Sequence, residues 1–133
     1  MTVFLDTSAI LAVLDADDQR HSEAHLIWSR LLASGEELLS SNYVIVETIS
    51  LVQRRLGLQA ARAVETDIVP LLDLHWMSPA MHQAAVRRWW SASRRGLSLV
   101  DCSSFEVMLG RDVRQAFAFD SDFEQQGFAL LRA

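Results

Sequence analysis

The sequence predicts an α/β domain with a mostly parallel sheet. Five short β-rich runs alternate along the chain with longer segments of helical periodicity, the order typical of this fold class. The first run, residues 2–5, is apolar on both faces, as in a parallel strand that is covered on both sides. With 133 residues, half of them hydrophobic, the chain is long enough to bury one core, and we expect residues 1–133 to form a single domain.

The strand predictions rest on short apolar and β-branched runs that end at polar residues. The first run stops at Asp6, and the fourth stops at Asp120. The predicted strands are residues 2–5, 37–40, 72–77, 115–119 and 128–131.

The helix predictions rest on apolar residues that recur every three or four positions, and on capping residues. Gly35 ends the second helix, Ser41 and Asn42 cap the third, and Pro79 follows Ser78 at the start of the fifth. The predicted helices are residues 9–14, 20–33, 43–56, 58–68, 79–94 and 100–110.

The composition excludes several classes of function. All 12 basic residues are Arg, so chemistry that needs a Lys, such as P-loop phosphate binding or Schiff-base formation, is absent. The single Cys102 cannot form an internal disulfide, and no apolar run approaches the roughly 18 residues of a membrane span. Residues 1–14 also lack the basic flank of a signal peptide, and we therefore expect a cytoplasmic protein without a membrane association.

Carboxylates gather where the predicted strands end. The carboxyl ends of parallel strands meet at one edge of a sheet, which is where ligands bind. Asp6 ends the first strand, and Asp120 ends the fourth with Asp122 two residues later. Asp101 is at the head of a helix, and Glu47 lies one turn into the third helix. The sequence therefore predicts an acidic cluster at this edge.

An acidic cluster of this kind would repel itself unless a cation neutralised it. Oxygen ligands without Cys or His at metal spacing favour Mg²⁺ or Mn²⁺ over Zn²⁺. Such a site holds phosphate oxygens and activates a water for in-line attack, so the pattern favours metal-assisted phosphodiester hydrolysis. The structural alternative is that Asp6 and Asp101 are only helix N-caps and that Asp122 only holds a turn.

Four segments resemble the motifs of PIN-domain ribonucleases, in the order in which that family has them. They are residues 4–9 (FLDTSA), 41–50 (SNYVIVETIS), 99–103 (LVDCS), and 116–123 (AFAFDSDF) followed by Gly127. The matches extend over nearly the whole chain. Ala118 departs from the family pattern, which often has Thr or Ser at that position.

The resemblance implies a three-layer α/β/α sandwich with a five-stranded sheet, and RNA cleavage that depends on Mg²⁺ or Mn²⁺. It also implies a type II toxin of a toxin–antitoxin pair, of the VapC type, with a small antitoxin as partner and a homodimeric state. The implied catalytic and metal-binding residues are Asp6, Glu47, Asp101 and Asp120, and the supporting residues are Ser8 and Asp122.

A strip of basic residues on the fifth predicted helix is the candidate RNA-binding surface, and it consists of Arg87, Arg88, Arg94 and Arg95. An antitoxin or dimer contact would use the same strip. Of the neighbouring aromatic residues, Trp89 is predicted to lie in the core beside Met81 and Ala85.

A second class of function competes with the enzyme. The chain could be a catalytically inactive PIN-fold module that binds nucleic acid or protein. Retention of all four core acids favours the enzyme. A phosphatase of the haloacid-dehalogenase type is excluded, because Asp6-Thr7-Ser8 lacks the second Asp of its D-x-D motif and the chain has no Lys.

Overall fold

The computed structural model describes residues 1–92 and 96–133. These residues form a five-stranded sheet in the order β3-β2-β1-β4-β5, and every strand pair is parallel. The strands are β1 (Thr2–Leu5), β2 (Glu37–Ser41), β3 (Asp73–His75), β4 (Gln115–Phe117) and β5 (Ala129–Leu130). The predicted fold class and the five strands are thus confirmed.

Helices connect the strands, as parallel pairing requires. Within the described residues, the α-helices are α1 (Thr7–Leu14), α2 (His21–Ser34), α3 (Asn42–Leu56), α4 (Leu58–Ala63), α5 (Pro79–Ser91), α6 (Leu99–Gly110) and α7 (Asp122–Gln125). Of the predicted capping residues, Gly35 ends α2 in a left-handed conformation and Ser41 accepts a hydrogen bond from the backbone of Val44. Asn42 does not act as a cap, because it is the first residue of α3 and its side chain accepts a hydrogen bond from the N–H of Met77. None of these helices combines the length and the apolar character that a membrane span needs.

Both faces of the sheet are covered, which makes a three-layer sandwich. Successive side chains of a strand point to opposite faces, and β1 separates the two cores accordingly. Phe4 packs into a core with Phe105 of α6 and Phe123 of α7. Val3 and Leu5 pack into the second core, which is built largely from α1 and α2.

The fourth strand is shorter than predicted. It ends at Phe117 and not at residue 119, because β5 pairs only with Gln115 and Ala116 and because β1 gives way to α1 after Leu5. Asp120 therefore lies in a loop three residues beyond β4, and α7 begins two residues later. A helix of one turn has no detectable periodicity, so the sequence did not predict α7.

Two predicted helices also end differently. The segment 58–68 is α-helical only to Ala63, continues as a π-helix over Val64–Ile68, and ends in a 3₁₀ turn over Val69–Leu71. Pro70 in that turn lacks the N–H that would continue an α-helical ladder. The predicted helix 79–94 ends at Ser91 as α5, and the remainder of that prediction lies outside the described residues beyond Ala92.

Candidate active-site cleft

A cleft of about 370 Å³ opens at the carboxyl ends of β1 and β4. The four acids predicted to be catalytic, Asp6, Glu47, Asp101 and Asp120, all line it, and so does Ser8. The structure therefore brings together side chains that are up to 114 positions apart in the sequence, counting from Asp6 to Asp120.

Asp6 is buried at the floor of the cleft, with only 4% of its surface exposed. It follows β1 directly and is the N-cap of α1, where its Oδ2 accepts a hydrogen bond from the backbone N–H of Ser8. Burial raises the pKa of Asp6 to about 6, although the hydrogen bonds from Ser8 lower it. The negative charges of Glu47 and Asp120 raise this pKa further.

The Ser8 hydroxyl joins Asp6 to the loop after β4. Its Oγ donates to Asp6 Oδ2 at 2.6 Å and accepts from the backbone N–H of Phe119 at 3.0 Å. Both ends of the hydroxyl are therefore used, which fixes the rotamer of Asp6 relative to the segment that bears Asp120.

Asp101 lies in the first turn of α6 and takes part in a capping box. Ser98 Oγ accepts from the N–H of Asp101, and Asp101 Oδ2 accepts from the N–H of Ser98. Burial raises the pKa of Asp101 to about 7, and the charges of Asp6 and Asp120 contribute to the rise. The N-cap alternative therefore describes the local structure of Asp6, whereas Asp101 is the third residue of α6 and Ser98 is the N-cap; both carboxylates also line the cleft.

Asp122 lies close enough to Asp101 and Asp120 to share a metal ion with them. Asp101, Asp120 and Asp122 each place one carboxylate oxygen within 4.8 Å of the others. The N–H of Asp122 donates to Asp120 Oδ1 at 2.9 Å, so a tight turn directs both side chains to one side. The sequence analysis placed Asp122 in the acidic cluster because of its two-residue spacing from Asp120.

Glu47 approaches the cluster from α3, six residues beyond the N-cap Ser41. Its charge contributes to the raised pKa of Asp6, which shows that the two carboxylates influence each other. Beneath them Thr7 and Thr48 exchange a buried hydrogen bond of 3.0 Å, and Thr48 donates to the carbonyl of Val44. This network joins α1 to α3 and sets the position of Glu47 relative to Asp6.

The donor set fits a hard divalent cation. Every ligand candidate in the cleft is a carboxylate, a composition suited to Mg²⁺ or Mn²⁺. Burial is the main reason why the pKa values of Asp6 and Asp101 are raised, and the neighbouring carboxylates add to the rise, so a cation bound there would favour the ionised forms.

The predicted arginine strip lies apart from the cleft as far as it is described. Arg87 is exposed, whereas Arg88 lies against α6 with its guanidinium 3.0 Å from Glu106 and 3.3 Å from Gln126. Both line a separate groove between α5 and α6. Arg94 and Arg95 lie outside the described residues, so RNA binding by the strip stays a prediction.

One prediction about side-chain environment is wrong. Trp89 is 41% exposed and does not lie in the core, because Arg88 occupies the position on α5 that faces α6.

The cleft also contains a residue that the sequence reading missed. Arg54 lines it from α3, two turns beyond Glu47. Glu47, Leu51 and Arg54 are spaced by four and three residues, a spacing that places them on one helix face. This spacing could have predicted that Arg54 lies on the same face of α3 as Glu47.

Comparison with known proteins identifies the class to which this fold and this cleft belong. The model of the PIN domain family matches residues 3–129, and the chain belongs to that family. It is 31% identical over 131 residues to the 23S rRNA-specific endonuclease VapC20 of Mycobacterium tuberculosis, and the match covers 98% of each chain.

Solved structures agree with this relationship. The crystal structure of Mycobacterium tuberculosis VapC20, a Sarcin-Ricin loop cleaving toxin, has a TM-score of 0.86 at 33% identity and covers 98% of this chain and 99% of that one. FitAcB from Neisseria gonorrhoeae has a TM-score of 0.70 at 14% identity over 98% of this chain and 96% of that one, which supports the fold alone. The resemblance to PIN-domain ribonucleases is confirmed.

Proposed function

We propose that this chain is a metal-dependent endoribonuclease and the toxin of a type II toxin–antitoxin pair. The observation that carries the proposal is the single cleft into which Asp6, Glu47, Asp101 and Asp120 converge, in a chain that matches a PIN-family endonuclease along almost its whole length. The proposed substrate is an RNA loop of the kind that VapC20 cleaves, the sarcin–ricin loop of 23S rRNA.

In this proposal Asp6, Asp101, Asp120 and Asp122 hold the cation, and Glu47 completes the acidic pocket. A bound Mg²⁺ or Mn²⁺ would supply neutralisation of phosphate charge and activation of a water. Ser8 keeps Asp6 ionised and oriented through its hydrogen bond of 2.6 Å. The capping box of Ser98 holds Asp101 in the same way at the head of α6.

The partners are part of the proposal. As such a toxin, the chain would act on ribosomal RNA in the cytoplasm, and a small antitoxin would restrain it there. A homodimer is the expected assembly, and sedimentation of the purified chain measures it directly.

The test is cleavage of an RNA hairpin that carries the sarcin–ricin loop, with Mg²⁺, with Mn²⁺ and with EDTA. We expect cleavage with either metal and none with EDTA, and we expect Asp101→Asn to be inactive although folded. The competing hypothesis of an inactive binding module predicts RNA or protein binding without cleavage under all three conditions. Wild-type protein that leaves the hairpin and total RNA intact with both metals would contradict the enzyme.

A further inference from the structure

We propose that Arg54 is a positioning residue that holds an RNA phosphate beside the one that is cleaved. The inference deepens the proposed function and rests on it for the identity of the polyanion. It explains how an acidic cleft can bind a substrate that is itself negatively charged.

Repulsion is the difficulty that the cleft has to overcome. The protein has a net charge of −5, and four carboxylates line the cleft. A cation among the carboxylates would attract the phosphate that it contacts, but the flanking phosphates would still meet negative potential. Among the described residues that line the cleft, Arg54 is the basic one.

Several arginines of the described residues are paired with acids, whereas Arg54, like Arg55 and Arg87, is not. Arg88 pairs with Glu106, Arg111 with Asp73, and Arg132 with Glu124. Within residues 1–92 and 96–133, Arg54 forms no ion pair, and its side chain is exposed at the cleft. Its guanidinium is therefore available to a ligand.

The position of Arg54 on α3 explains why the carboxylates do not capture it. Seven residues separate it from Glu47, a rise of about 10 Å along the helix axis. Arg54 and Glu47 thus line different parts of the cleft, and salt weakens the attraction between the exposed guanidinium and the carboxylates. Arg54 is thus close enough to serve the same cleft and too far away to neutralise it.

Guanidinium is the side-chain group best suited to this task. Its planar donors bind two oxygens of one phosphate in parallel, and its charge is permanent. The neighbouring Leu51 separates Arg54 from Glu47 on the same face and gives the sugar an apolar contact surface. We therefore assign to this end of the cleft a phosphate of the substrate strand that is not cleaved.

The adjacent residue provides a matched control. Arg55 has the same charge, lies on the same helix and is also exposed, but it does not line the cleft. One residue along an α-helix turns the side chain by about 100°. Arg54→Ala and Arg55→Ala therefore remove the same charge, but only Arg54→Ala removes it from the cleft.

The first measurement is binding, which does not depend on cleavage. Two fluorescein-labelled RNAs, the sarcin–ricin hairpin and a single strand of unrelated sequence, are titrated with protein in EDTA at several salt concentrations. We expect Arg54→Ala to weaken binding of both by about tenfold and to reduce the salt slope by about 0.7–0.9. Arg54→Lys should recover part of the affinity, and Arg55→Ala should stay within about twofold of wild type.

The second measurement separates positioning from chemistry. With Mg²⁺ and the hairpin, Arg54→Ala should raise KM by about tenfold with kcat within about twofold, because a contact to a phosphate that is not cleaved is made equally in the ground and transition states. The melting-temperature shift caused by Mn²⁺ should equal that of wild type.

Three results would overturn the inference. They are equal RNA affinity in Arg54→Ala and wild type, equal losses in the Arg54 and Arg55 variants, or loss of the Mn²⁺ response in Arg54→Ala. If wild type binds RNA through Arg54 but cleaves nothing with either metal, the proposed function fails while the inference stands. If wild type binds neither RNA, the inference is wrong.

Discussion

The Ser8 hydroxyl donates a hydrogen bond of 2.6 Å to the carboxylate of Asp6, and it is the contact that most directly opposes the effect of burial on that acid. The same oxygen accepts from the N–H of Phe119, so no other rotamer of Ser8 can serve both partners. A short side chain thus couples the charge state of Asp6 to the position of the loop that carries Asp120.

Removal of this hydroxyl should raise the pKa of Asp6 above its value of about 6. A Ser8→Ala variant retains the backbone N–H donor but loses the charge-assisted bond, so Mn²⁺ affinity should fall by about fivefold or more at pH 6. The loss should shrink at pH 8, where Asp6 is ionised in both proteins. Isothermal titration with Mn²⁺ at the two pH values measures this, and Ser8→Thr, which keeps a hydroxyl, is the control. Equal affinities of Ser8→Ala and wild type at pH 6 would contradict the coupling.

Divalent metal should stabilise the folded protein, since it binds carboxylates that the unfolded chain does not hold together. Mn²⁺ or Mg²⁺ is expected to raise the melting temperature, and Asp6→Asn or Asp101→Asn to abolish that shift. Asn is a good N-cap residue in place of Asp6, and in place of Asp101 it retains an oxygen that can accept from the N–H of Ser98, so both variants should fold.

Asp112→Asn is the control for this experiment. Asp112 is an exposed acid outside the cleft, and its positive φ of 52° is tolerated by Asn. Its metal-induced shift should match that of wild type. An undiminished shift in both cleft variants would refute the assignment of Asp6 and Asp101 as ligands.

Much of the cleft was predictable because its determinants are local. Asp6 ends an apolar run and begins a helix, and Asp101 is at the head of another, so the segments around them indicate both positions. Parallel pairing of β1 with β4 then brings Asp120 near Asp6. These relationships follow from strand order and helix caps, which leave clear patterns in a sequence.

The remainder depends on packing between distant elements. Arg54 faces the cleft only because the buried side of α3, with Val44, Thr48 and Val52, fixes the rotation of the helix. Trp89 was misplaced because the side of α5 that is packed carries Ala85 together with Arg88, whose partner Glu106 lies 18 residues further along the chain. Composition and periodicity carry no information about such pairs.

The metal-free protein should lose stability as pH rises from about 4 to about 7. The pKa values of Asp6 and Asp101, about 6 and about 7, lie above their ordinary value of 3.8, so the folded state binds more protons than the unfolded state in this window. The free energy of unfolding therefore decreases as pH rises through this window, and the contribution of these two acids is flat above about pH 8.

Urea unfolding in EDTA at pH 5, 6, 7 and 8 measures how the free energy of unfolding depends on pH. The difference between wild type and Asp101→Asn separates the contribution of Asp101 from that of the other acids. The variant should show a shallower decline. Saturating Mg²⁺ should remove the decline, because the cation binds the ionised form. A difference between the two proteins that does not change with pH would show that Asp101 is not perturbed.

Substitution of Arg88 should lower the free energy of unfolding, whereas substitution of the adjacent Arg87 should leave it almost unchanged. The Arg88 guanidinium is 30% exposed and pairs with Glu106, which is 20% exposed, so Arg88→Ala leaves a largely buried carboxylate without its cation. The free energy of unfolding should fall by about 1–3 kcal/mol. Arg87 is exposed, and Arg87→Ala should change stability by less than about 0.5 kcal/mol.

Chemical denaturation measures the free energy of unfolding of the Arg87 and Arg88 variants, and RNA titration of the same proteins tests the predicted RNA-binding strip. Full stability of Arg88→Ala together with weakened RNA binding would show that this arginine serves the substrate and not the packing of α5 on α6.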